Sequence, residues 1–118
     1  MRISEDVQTI LNSAYQEAKQ RKHEYLTPEH ILFAALYFDL SREIIESCGA
    51  DPDEIREEVE SYLEDHIPVT KNSEPIQSIG FQEVIERAVF HTESSQKGEV
   101  DIGDIIVSIY DEENAFGS

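Results

Sequence analysis

Apolar residues recur at three- and four-residue steps through most of the chain, which is the spacing of amphipathic α-helices. The pattern predicts a first helix over about 4–22 and a second helix that opens at Thr27. Ser41 is the expected N-cap of a short third helix, and Gly49 suits its left-handed end. A fourth helix is predicted over 51–64. The apolar stripe of the first helix consists of Val7, Ile10, Leu11, Ala14 and Ala18.

The pattern of the first two helices occurs a second time, 74 residues farther along the chain. Apolar positions match apolar positions, and the helix-capping Thr27 matches Asp101. We therefore predict an all-α fold built as a tandem pseudo-repeat of a four-helix unit, with the second repeat cut short after its first two helices. The matched pairs include Ile10 and Val84, Leu11 and Ile85, Ala14 and Ala88, and Ile31 and Ile105.

The repeat predicts one domain over 1–118, with the first copy over about 1–66 and a partial second copy over about 79–118. Residues 67–78 have two prolines and no apolar periodicity, which is typical of a linker. Because two helices of the second copy are missing, we expect its last isoleucines to be exposed or covered by another molecule. That exposure predicts weak self-association. The residues concerned are Ile102, Ile105 and Ile109.

The chain is strongly acidic, with a formal net charge of −17. Residues 27–66 carry 12 acidic and 2 basic side chains, which gives this stretch a charge of −10. Such a field repels nucleic acid and anionic lipid and attracts a cationic partner, although plain solubility explains it equally well. A single cysteine, Cys48, and no apolar run long enough for a bilayer or a signal peptide favour a cytoplasmic location.

Motifs of enzyme chemistry are missing from the sequence. The five glycines are scattered and no Gly-Lys-Ser/Thr sequence exists, so the chain has no P-loop for ATP. The four histidines lack the paired spacing of a zinc site. His23 and His30 flank a turn beside Glu24 and Glu29, where either a weak, adventitious metal site or simple polar turn residues would fit. We predict no cofactor, no metal and no catalytic residue.

The segment His23-Glu24-Tyr25-Leu26-Thr27-Pro28-Glu29-His30-Ile31-Leu32 resembles the opening of the N-terminal domains of the Clp/Hsp100 unfoldases. A second segment, Phe81 to His91, looks most like the ClpA type within that family. The resemblance covers essentially the whole chain, and it implies a double repeat of four helices. The chain departs from the ClpA pattern only at its end, because the family domain continues through two more helices.

The resemblance also implies a function. The chain would be the mobile, non-catalytic N-terminal docking domain of a hexameric AAA+ ATPase that unfolds proteins into the ClpP peptidase. Its partners would be protein substrates and the adaptor ClpS. The adaptor-binding residues of the family, carried over by matching the motif, are Glu24 and Glu29.

Two other interpretations stay open at this point. The chain could be a stand-alone accessory or regulatory protein of the same fold, with no ATPase ring attached. It could also be a small enzyme or metal protein, which the sequence gives little reason to expect. For Glu29, a purely structural role is open as well, because a carboxylate in the first turn stabilises a helix by about 0.3–1 kcal/mol.

Overall fold

A computed structural model of the chain describes residues 2–71 and 74–117, with side chains described through residue 113. Within those ranges six helices carry most of the chain, which confirms the predicted all-α class. No helix of the described ranges is long and apolar enough to cross a bilayer. In chain order the elements are β1 (Arg2–Ile3), α1 (Glu5–Gln20), β2 (Tyr25–Leu26), α2 (Pro28–Ala35), α3 (Asp39–Ser47), α4 (Pro52–Asp65), β3 (Ile76–Gln77), α5 (Ile79–Ser94), β4 (Glu99–Val100) and α6 (Ile102–Gly117).

The repeat predicted from the sequence is visible in four pairs of elements, β1 and β3, α1 and α5, β2 and β4, and α2 and α6. The strands and helices of the second copy begin 74 residues after their counterparts, as α5 at Ile79 does after α1 at Glu5. The strand pairs cross between the copies: β1 pairs in parallel with β4, and β2 pairs in parallel with β3. Exchanging the two copies turns the first pair into the second with the same register. An approximate two-fold symmetry therefore relates the two copies.

The helix starts follow the capping chemistry of the sequence. The hydroxyl of Ser4 accepts a hydrogen bond from the amide of Val7 at the start of α1. Its counterpart Ser78 accepts from the amide of Phe81 at the start of α5. Asp51 caps α4, and Gly49 ends the preceding helix segment with a left-handed φ of +88°, as predicted.

The prediction for the third helix is wrong at its start. Helix α3 begins at Asp39 rather than after Ser41, and Ser41 is fully buried within it. The backbone carbonyl of Phe38 accepts the amide of Arg42, and Phe38 itself packs against the main core. The helix therefore starts next to the anchored Phe38, two residues before Ser41, whose hydroxyl could have capped it.

The main core lies where both copies meet. Buried residues of α1, α2, α5 and α6 form one continuous cluster. A second, smaller cluster lies under α4 and consists of Phe33, Val59, Leu63 and Ile67. Ile67 belongs to the predicted linker. Because its side chain is buried in this cluster, the start of the linker packs against the first copy. The proposed limits of the two copies and the linker stay predictions.

The expected exposure of α6 is wrong. Ile102, Ile105 and Ile109 are all buried, with 1–4% of their surface exposed. Helices α5 and α3 pack against them, and the Ile44 side chain of α3 lies beside Gly103. The exposed apolar residues of α6 are instead Val107 and Tyr110, at 54% and 65%.

Candidate docking surface

The two glutamates singled out by the sequence lie in residues 23–30, which we call the docking turn. This turn connects the end of α1, through β2, to the first turn of α2. The backbone of Glu24 is held on both sides, because its N–H donates to Pro68 (2.8 Å) and its carbonyl accepts from Ile76 (2.9 Å). Glu29 occupies the second position of α2, where a carboxylate stabilises the positive end of the helix.

Both glutamate side chains are partly exposed and available to a partner. Within the described ranges, neither carboxylate takes part in a hydrogen bond or an ion pair with another side chain. No contact joins the two carboxylates to each other either. They are therefore two separate acidic points on one rigid turn, and not a single paired site.

Helix α4 extends the acidic surface on the Glu29 side. Burial, and secondly the charge of Glu29, raise the pKa of Tyr62, which places this tyrosine in the field of the docking turn. The Tyr62 ring lies 5.0 Å from the ring of His66. Around them is an open pocket of about 420 Å³ whose other lining residues are mostly acidic. Those residues are Glu57, Glu58, Ser61 and Asp65.

Two histidines close the docking turn from inside. His23 and His30 are 4% and 0% exposed, and His23 Nδ1 lies 2.8 Å from His30 Nε2. The other nitrogen of His30, Nδ1, accepts the amide N–H of Thr27 at 2.9 Å. The hydroxyl of Thr27 is 2.9 Å from the same nitrogen. The side chain of His30 thus caps the first turn of its own helix and bonds across the turn at the same time.

The bonding fixes the tautomers of the pair. The Thr27 amide can only donate, so His30 Nδ1 carries no proton and Nε2–H donates to His23. His23 Nδ1 is then the acceptor, which leaves the proton of neutral His23 on Nε2, and the backbone of Leu63 in α4 lies near this ring. Both rings are neutral in this arrangement. Burial, then the repulsion that a protonated His23 would exert, and then the charge of Arg21 lower the pKa of His30 to about 3. Burial is also the main cause of the lowered pKa of His23.

This geometry decides between the two interpretations of His23 and His30. Three of the four ring nitrogens, both of His30 and Nδ1 of His23, are already engaged within the protein. The described side chains also contain no group of three or more histidine, cysteine, aspartate or glutamate residues that could hold a metal ion. His23 and His30 are therefore polar residues of the turn, as the second interpretation has it, and they are buried within it.

A groove between α1 and α5 is a feature that the sequence did not reveal. It has a volume of about 790 Å³. Leu11 and Ile85 were expected to face inward, but both are only partly buried and line this groove. Helices α1 and α5 are counterparts in the repeat. The helical period alone could not show that their apolar stripes extend past the core. The remaining apolar lining consists of Tyr15, Leu26, Pro75 and Phe81.

Comparison with known proteins agrees with this architecture. A family model described as the Clp repeat (R) N-terminal domain matches residues 2–118. The chain belongs to the Clp repeat N-terminal domain family. A ClpA homolog protein of Fuscovulum blasticum is 26% identical to this Clp repeat domain over 114 residues. That alignment covers 93% of the chain but only 14% of the relative, so the chain corresponds to a small part of that protein.

Solved structures of Clp N-terminal domains share the fold. The Hsp104 N-terminal domain from Candida albicans matches 99% of the chain with a TM-score of 0.84, and 83% of that domain is covered at 19% identity. The N-domain of ClpV from Vibrio cholerae matches 96% of the chain with a TM-score of 0.81, and 69% of it is covered at 20% identity. A ClpV N-domain in complex with a VipB peptide matches 91% of the chain with a TM-score of 0.78, with 66% of it covered at 20% identity.

Proposed function

We propose that this Clp repeat domain is the adaptor- and substrate-docking N-terminal domain of a ClpA-type ATP-dependent unfoldase. Glu24 and Glu29 would contact the adaptor ClpS, and the catalytic and ClpP-binding parts would lie in a hexameric, cytoplasmic parent protein. The observation that carries the proposal is the docking turn itself. It presents two unpaired carboxylates on a backbone that is held by the linker, by β3 and by the histidine pair.

The acidic field supports docking of a basic partner. The chain carries −17, and the side of the docking turn near Glu29 continues into the acidic pocket of α4. Opposite potentials on two partners accelerate association, and that acceleration weakens with salt. A basic or imidazole group of the adaptor would meet each glutamate without having to displace an existing ion pair.

The groove between α1 and α5 supports a separate place for extended substrate segments. Its apolar floor and its polar rim of Gln77, Gln82 and Glu86 suit a peptide with one or two apolar anchors. The similarity to the ClpV N-domain that was solved with a VipB peptide is consistent with peptide docking by this fold. The groove borders the docking turn, because Leu26 belongs to the turn and also lines the groove.

A titration of the chain with purified ClpS by calorimetry tests the proposal. We expect micromolar or tighter binding that the double variant Glu24→Lys, Glu29→Lys loses while its circular dichroism spectrum stays unchanged. A matched control is the double variant Glu46→Lys, Glu93→Lys, which changes the net charge equally at two exposed positions of α3 and α5.

Equal losses in both double variants would mean that only the overall field matters and would overturn the assignment of the two residues. No binding by the unaltered chain would favour the alternative function, a stand-alone accessory or regulatory protein of the same fold without an ATPase ring.

A further inference from the structure

The docking turn is bracketed by the two buried histidines. His23 directly precedes Glu24, and His30 directly follows Glu29. The 2.8 Å bond between the two rings therefore joins the ends of the segment that carries both carboxylates. We propose that His23 and His30 are positioning residues that lock the docking turn only while both rings are neutral. This inference rests on the proposed docking function for its purpose, but its structural part can be tested alone.

The lock connects three parts of the fold. His30 belongs to the first turn of α2 and accepts the Thr27 amide. His23 follows the end of α1, and its own amide donates to the carbonyl of Ala18 at 2.9 Å. The Leu63 backbone of α4 lies near the same ring. Loss of the central bond would therefore uncouple the first turn of α2 from the end of α1, while the two helices stay in place.

A proton on either ring is incompatible with this arrangement. With a proton on His30 Nδ1, the Thr27 amide would face another donor at 2.9 Å. With a proton on His23 Nδ1, the two rings would face each other with N–H groups at 2.8 Å. The charged groups around the pair oppose protonation as well, because Arg21 acts on both rings. Glu17 acts in the opposite sense on His23 but is already bonded to Arg21 at 2.6 Å.

The second copy of the repeat provides a matched reference without histidine. Lys97 and Asp104 stand at the positions of His23 and His30, and the lysine ammonium bonds the carboxylate at 2.9 Å. The amide of Asp101 donates to Asp104 at 2.9 Å, as that of Thr27 does to His30. The same backbone hydrogen bond thus exists twice in one molecule, once on an imidazole and once on a carboxylate.

Amide hydrogen exchange measured by NMR on the full chain between pH 7 and pH 5 tests the lock. After correction for intrinsic exchange rates, we expect the protection of the Thr27 amide to fall about tenfold per pH unit for each histidine protonated on opening, once the pH is below about 6.5. The protection of Asp101 should stay nearly constant over this range. A parallel change at both amides, or no change at Thr27, would overturn the inference.

Two substitutions at one position separate positioning from mere packing. His23→Gln retains an amide oxygen that can accept from His30, but it does not titrate. His23→Leu has no such acceptor. We expect His23→Gln to keep ClpS binding at pH 7.5 within about twofold, since the competent turn stays populated, and His23→Leu to weaken it about three- to tenfold. We also expect His23→Gln to reduce the pH dependence of Thr27 exchange.

The outcomes distinguish this inference from the proposed function. If the unaltered chain does not bind ClpS, the docking function falls, and the comparison of Thr27 with Asp101 still decides whether the histidines lock the turn. If ClpS binds and both His23 variants bind as well as the unaltered chain, the positioning role is wrong. If a variant does not fold, as judged by circular dichroism, the exchange experiment on the unaltered chain remains decisive.

Discussion

The two copies of the repeat place different chemistry on the same backbone. Lys22 and Gln96, which precede the turns of the two copies, both adopt a φ of 59°. After them the first copy has the neutral His23–His30 pair, and the second has an ion pair between Lys97 and Asp104. The backbone conformation is therefore independent of which pair is used.

Burial explains why the pairs differ. In the first copy, Val69 forms a bridge with His23 and the Leu63 backbone of α4 lies near its ring, so the buried pair is enclosed and must be neutral. The Lys97 side chain in the second copy is 41% exposed, and water solvates its charge. The comparison indicates that burial of the turn determines the type of side-chain pair that closes it. The buried turn has two neutral imidazoles, and the exposed turn has an ion pair.

The largest expected effect concerns the cover itself. Phe33 is 5% exposed under α4, with Arg21 and Arg56 stacked 5.5 Å and 5.7 Å from its ring, whereas its counterpart Val107 is 54% exposed. Phe33→Ala should therefore lower the free energy of unfolding by about 3–5 kcal/mol. Val107→Ala should change it by no more than about 0.5 kcal/mol. Urea unfolding followed by circular dichroism measures both, and similar losses would show that the second copy is covered as well.

A second way to sharpen the comparison is acid titration. The folded-state pKa of His30 is lowered to about 3, below its ordinary value of 6.5. The unfolded chain therefore binds this proton more readily, so His30 contributes stability that is present above pH 6.5 and is lost as the pH falls from there toward 3. The loss should approach about 1.4 kcal/mol per pH unit for this group.

The second copy should respond at lower pH. Asp101 keeps a lowered pKa through its bonds to Lys97 and Asp104, despite its partial burial. The contribution of Asp101 to stability is present above its ordinary pKa of 3.8 and is lost only as the pH falls below that value.

The prediction for His30 is measured by denaturant unfolding of the unaltered chain and of His30→Asn at pH 7, 6 and 5. Equal slopes against pH for the two proteins would contradict the role of His30.

Much of this molecule follows from local rules that a sequence displays. Thr27 and Asp51 stand before helices with proline at the first position, and Gly49 takes the left-handed conformation that ends α3. The 74-residue repeat is also readable, because amphipathic stripes and caps recur together. The assignment of Glu24 and Glu29 to the docking surface came instead from the resemblance of their motif to a known family, and it stays a prediction.

The remaining features depend on contacts between distant segments. Strands of two residues are too short for a period-two pattern, and both pairs of strands join different copies. The histidine pair is enclosed only because α4 and Val69 return to the turn from about 40 residues farther along the chain, as the Val69 bridge shows. Likewise, Leu11 and Ile85 follow the helical stripe yet line an open groove.

The smallest expected effect concerns the exposed lock of the second copy. Lys97 bonds both Asp101 and Asp104 at about 2.9 Å. Because these bonds are exposed to water, their small gain is largely offset by the entropy lost when the long lysine side chain is ordered. Lys97→Met should therefore lower the free energy of unfolding by only about 0.5 kcal/mol at low salt, and by less in 1 M NaCl, where the Debye length is about 3 Å. Thermal unfolding at the two salt concentrations measures the effect. A salt-independent loss of several kcal/mol would show that this exposed ion pair closes its turn as firmly as the buried histidines close theirs, and that burial is not what separates the two copies.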